Sequence, residues 1–76
     1  MKIQILGTGC PKCNQLYANA CDAVKELNSD AEVVKVQDIN EITGFGVMVT
    51  PALAIDGDVK KVGKVPSVDE IKSMLA

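Results

Sequence analysis

Apolar and polar positions along the chain change period several times. Residues 2–6 (Lys-Ile-Gln-Ile-Leu) alternate and are rich in β-branched side chains, the pattern of a strand. Gly7-Thr8-Gly9 breaks that pattern, and a helical period follows from Cys10. Pro11 suits its first helical position, where a missing N–H costs nothing. Leu16, Ala20, Ala23, Val24 and Leu27 then recur on one helical face, until Asn28-Ser29-Asp30 ends the run. Residues 32–37 predict a second strand. Asp38 with Glu41 predicts a capping box for a short helix over 39–43, stopped by Gly44 and Gly46. Residues 52–55 (Ala-Leu-Ala-Ile) predict a third strand, preceded by Thr50-Pro51. Asp56-Gly57 is a hairpin signal, with a returning strand over 59–62. After Pro66, Ser67 and Glu70 predict a second capping box. Val68, Ile71, Met74 and Leu75 give the inner face of a final helix.

The predicted order is therefore β-α-β-α-β-β-α, an α/β fold. Its first βαβ unit implies a parallel strand pair with a right-handed crossover, and its hairpin adds an antiparallel pair. With 76 residues there is room for one domain and only a thin core. Hydrophobic residues make up 47% and charged residues 24%, which argues against disorder. Ten acids and eight lysines give a net charge of −2, with no Arg and two aromatic residues, Tyr17 and Phe45. That balance speaks against nucleic-acid binding, which wants a basic face and stacking or bidentate groups. The absence of His removes imidazole catalysis and every His-ligated metal site. No apolar run approaches a membrane span, and no signal peptide is visible at residues 1–6, so a cytoplasmic protein without a membrane partner is expected.

In a reducing compartment cysteines are seldom structural staples. Cys10-Pro11-Lys12-Cys13 falls where the first strand hands over to a helix. With Cys10 at the N-cap, free N–H groups, the helix dipole and Lys12 would all favour its thiolate, the reactive species. Side chains three apart on a helix lie close enough to form a disulfide. Helical-wheel arithmetic puts Cys13 near the middle of the apolar face, partly buried, behind an exposed Cys10. This is the arrangement of an attacking thiol and a resolving thiol. Other chemistry fits a lone Cys-x-x-Cys as well. Half of a zinc knuckle would need a second pair, and none exists. A soft-metal or arsenical carrier would hold Cu(I) or arsenic between the same two sulfurs. Beside a βαβ pattern the redox reading is the stronger one. Cys21 lies eight residues past Cys13, too far to join it, and reads as a small hydrophobe on the flank of the helix.

Taken together, Cys-Pro-Lys-Cys after the first strand, Thr50-Pro51 before the third and Asp56-Gly57 at the hairpin resemble the thioredoxin-like superfamily. The match is nearest to its very small redox-active disulfide protein 2 family. The resemblance implies a single thioredoxin-like domain over 1–76, with a four-stranded mixed sheet and three helices. It implies a cis Thr50–Pro51 bond facing the dithiol, with Thr50, Pro51, Pro11 and Lys12 walling the site. It implies a monomeric protein disulfide oxidoreductase that needs no cofactor or metal. Its partners would be disulfide-containing proteins and, as electron donor, a flavin-dependent reductase of the thioredoxin-reductase type. Some positions depart from the longer relatives. Gly9 replaces their Trp, and Gln4 stands where they carry a buried acid. Lys12 and the 63–66 segment lack the features that glutaredoxins use, so thioredoxin-like rather than glutathione-dependent chemistry is expected.

Overall fold

A computed structural model describes residues 1–9 and 11–75. The elements follow the predicted order: β1 (Lys2–Leu6), α1 (Pro11–Glu26), β2 (Glu32–Val36), α2 (Ile39–Gly44), β3 (Ala52–Ile55), β4 (Asp58–Val62) and α3 (Val68–Leu75). They form one mixed sheet in the order β2-β1-β3-β4. β1 runs parallel to β2 and antiparallel to β3, and β3 runs antiparallel to β4. The fold is thioredoxin-like.

Strand alternation sends β1 and β3 side chains to both faces. On one face, Ile3, Ile5 and Leu53 pack with Leu16, Ala20 and Ala23 of α1 and Ile71 of α3. On the other, Leu6 and Ala52 pack with Ile42 of α2 and with Val47. The α1 and α3 helices are also tied directly. Asn19 Nδ2 donates to the Pro66 carbonyl at 3.0 Å, and Lys72 pairs with Glu26 at 3.1 Å.

Local chemistry sets the element ends. Asn28 takes the left-handed conformation, with Asn28 N–H on Lys25 O and Ser29 N–H on Val24 O. These are the two bonds of a Schellman motif, so α1 stops at Glu26. Leu27, expected on the inner face, consequently lies past the helix and is 37% exposed. At α3 both arms of the capping box form: Ser67 N–H on Glu70 Oε1 and Glu70 N–H on Ser67 Oγ, each 3.2 Å. At α2 the box is altered. Asp38 Oδ1 accepts from Asn40 N–H at 2.8 Å, one residue earlier than the pattern places it. The hairpin loop has positive φ at both Asp56 and Gly57, as a type I′ turn requires. Asp58 therefore pairs with Ile55 and extends β4 back by one residue, while a bulge shifts the register between Leu53 and Ala54.

Candidate functional site

One end of the sheet gathers Pro11, Lys12, Cys13, Thr50 and Pro51, all singled out by the sequence. β1 ends at Leu6, which pairs with Ala52 at the start of β3. The N-terminal end of α1 and the loop entering β3 therefore meet over the same strand end. Pro11 and Lys12 are exposed in the first turn of α1. Cys13, in the same turn, is only 4% exposed. Its burial follows the helical period: the next buried positions are Leu16, Ala20 and Ala23. Cys10, the expected attacking thiol and N-cap, lies outside the described residues.

The Thr50–Pro51 bond is cis. Pro51 is buried and Thr50 half-buried. The Pro51 carbonyl accepts from Gly63 N–H at 2.8 Å, which anchors this loop to the end of β4. Between Cys13 and the loop lies Gly7, itself buried. A Cβ placed on Gly7 would collide with Cys13 Sγ and come within 4.0 Å of Thr50 Cβ. The structure thus brings Cys13, Thr50 and Pro51 to one corner, with Pro11 and Lys12 on the adjoining helix turn.

Two features of this corner were not legible in the sequence. The first is Gly7, which there reads only as a strand breaker. The second is an exposed apolar rim. Met48 is 89% exposed, Ile39 65% and Val49 55%. Ile39 and Met48 border a groove of about 270 Å³ with Thr8, Thr43, Val47 and Thr50. An available signal was the Val47-Met48-Val49 run directly before Thr50, in a segment with neither helical nor strand period. Gln4, at the spacing of a buried acid, turns elsewhere: its Oε1 accepts from Gly57 N–H at 2.8 Å, in the hairpin.

Cys21 is half-buried farther along α1. A hydrogen bond with Cys21, and secondly the charge Cys21 would carry, raises the pKa of the Tyr17 phenol. Lys35 Nζ stands 4.5 Å from the centre of the Tyr17 ring, within cation–π range. Among the described residues, no group of three or more His, Cys, Asp or Glu side chains could hold a metal ion. Likewise, no described helix is long and apolar enough to cross a membrane.

A buried cysteine in the first turn of a helix, beside a cis-proline loop on a four-stranded mixed sheet, places the molecule in the thioredoxin-like class. The sequence model of the thioredoxin domain matches residues 1–76, and the chain belongs to that family. A thioredoxin of Methanocaldococcus jannaschii is 58% identical over 73 residues, covering 96% of this chain and 84% of the relative. A thioredoxin of Methanothermobacter thermautotrophicus is 49% identical over 76 residues, covering 100% of this chain and 99% of the relative. Family and relatives together support a thioredoxin-like thiol oxidoreductase.

Proposed function

We propose that the protein reduces disulfide bonds of other proteins through the Cys10/Cys13 pair of its Cys-Pro-Lys-Cys segment. The observation that carries this reading is the buried Cys13, set in the first turn of α1 against Gly7, which separates it from the Thr50–Pro51 loop. A thiol held there is poor at meeting a bulky substrate and well placed to act second. Cys10 is the residue left to make the first contact. The N-terminal end of α1 favours negative charge on a sulfur at its tip, and Lys12 adds a cation.

Cys10 thiolate attacks one sulfur of the substrate disulfide. A mixed disulfide forms, and the other substrate sulfur leaves as a thiolate. Cys13, after losing its proton to solvent, attacks the Cys10 sulfur. The Cys10–Cys13 bond forms and the second substrate sulfur departs. The substrate gains two electrons and the protein is left oxidised. A flavin-dependent reductase of the thioredoxin-reductase type then returns the electrons in the cytoplasm. The rim of Ile39, Met48 and Val49 receives the apolar residues that flank the substrate disulfide, and the Thr50 backbone aligns them.

Trapping tests the assignment of roles. Cys13→Ser should accumulate a covalent adduct with a disulfide-bonded protein such as insulin, because the mixed disulfide cannot be resolved. Cys10→Ser should form none efficiently. Adducts seen only with Cys10→Ser would reverse the roles. Turnover surviving in both variants would remove the pair from the reaction.

A further inference from the structure

We propose that Gly7 is a positioning residue of the dithiol site. The space left by its missing side chain fixes where the Cys13 sulfur sits, and so governs how fast Cys13 resolves a mixed disulfide on Cys10. This inference rests on the dithiol reading above.

Glycine at this position is not explained by backbone conformation. Gly9, Gly46, Gly57 and Gly63 have positive φ, whereas Gly7 does not. Nor is it an exposed break: Gly7 is buried, and its N–H still donates to the Val36 carbonyl at 3.0 Å, continuing the register of β1 on β2. What sets Gly7 apart is what a side chain would meet. A Cβ would overlap Cys13 Sγ, come within 2.9 Å of Cys13 Cβ and touch Thr50 Cβ at 4.0 Å. Gly9, Gly44, Gly46 and Gly57 would meet nothing within 4 Å. The sulfur of Cys13 therefore occupies the place that the side chain of residue 7 would take.

None of the neighbours can yield easily. Cys13 Cβ is fixed by the first turn of α1, whose next inward residue, Leu16, is completely buried. Gly7 is held by β2, and Thr50 by the loop fastened through Pro51 and Gly63. The cavity beside the sulfur, lined by Ile5, Gly7, Gly9, Asn14, Lys35 and Gln37, measures about 10 Å³. That is the room of roughly one water, so the sulfur has little space to retreat. A methyl at residue 7 must then rotate the sulfur out of its place or shift the start of α1. Either change alters the line along which Cys13 Sγ approaches the sulfur of Cys10. The first attack makes its new bond between Cys10 and the substrate, and the Cys13 sulfur enters the bonding only in the second.

A symmetrical aromatic disulfide, dithiobis(nitrobenzoate), separates the steps. Attack by Cys10 releases one coloured thiolate and leaves the other bound to Cys10. Attack by Cys13 on that mixed disulfide releases the second and closes Cys10–Cys13. Cys21→Ala serves as the parent, so that no third thiol reports. In Gly7→Ala on this parent, the first release should stay within about twofold, while the second should slow about tenfold or more. Equal slowing of both releases would mark Gly7 as merely structural and overturn the proposal. So would an unchanged second release. If the parent itself gives no second thiolate, the dithiol reading fails, and the role of Gly7 falls with it. A second measurement reads the contact with the sulfur from stability, without using turnover. The loss of thermal stability caused by Gly7→Ala should shrink when Cys13→Ala removes the sulfur. Equal losses in both backgrounds would show that no contact with the sulfur is involved.

Discussion

At the scale of single residues, spacing places a side chain on a helix better than it explains its neighbours. The burial of Cys13 is legible from the helical wheel because the period of α1 holds from its first turn. The exposure of Leu27 is not, because it depends on a left-handed Asn28 that ends the period one residue earlier. Gly7 is less legible still, since the atom that needs its space belongs to another element. Cys21 was legible in both distance and character, and its contact with Tyr17 adds a measurable consequence. Tyr17 is the only tyrosine and the chain has no tryptophan, so ultraviolet absorbance follows its ionisation cleanly. Its folded pKa is raised above the ordinary 10.0, first by the hydrogen bond with Cys21. The protonated phenol is therefore the form that folding favours. That contribution is present below the ordinary pKa and is lost as pH rises through the raised one. In Cys21→Ala the tyrosinate signal should appear at lower pH than in the parent, while both disulfide-reducing steps continue. An unmoved titration would remove Cys21 as the cause, and lost turnover in a folded variant would return Cys21 to the site.

At the scale of elements, local signals and hydrogen bonds agree wherever the chemistry is complete within a few residues. The Ser67/Glu70 box closes reciprocally, and α3 begins where the pattern puts it. The Asp56-Gly57 turn has the two positive φ angles that its type demands, and β4 starts one residue earlier than its hydrophobic pattern because that turn is only two residues long. Asp38 keeps its capping role but bonds to Asn40 instead of completing a box with Glu41. The two caps should therefore differ in weight. Ser67→Ala removes the acceptor for Glu70 N–H in a helix whose Ile71 lies in the main core, and should cost about 1 kcal/mol. Urea unfolding monitored by circular dichroism measures this. A loss below a few tenths of a kcal/mol would show that packing of Ile71, not the cap, sets the start of α3.

At the scale of the whole molecule, chemistry and fastening occupy opposite ends of the sheet. The end formed by Leu6, Gly7 and the entry to β3 holds Cys13, Thr50 and Pro51. The other end is stitched by polar contacts. Lys2 N–H donates to Asp56 Oδ1 at 2.7 Å and Asp56 N–H to the Lys2 carbonyl at 2.8 Å, while Glu32 N–H donates to the Met1 carbonyl at 3.0 Å. Gln4 belongs to this second group through Gly57. Its position along the sequence suggests a link to the dithiol, but a side chain on β1 can serve either end of the sheet, and only the partner decides which. Gln4→Ala tests the division. It leaves Gly57 N–H without its side-chain acceptor at a site open to water, so stability should fall by about 1 kcal/mol or somewhat less. Both thiolate-release steps with the aromatic disulfide should keep the parent's rates and pH profile. A changed pH profile for the second step, in a variant that remains folded, would place Gln4 on the proton's path away from Cys13 and join the two ends that the hydrogen bonds keep apart.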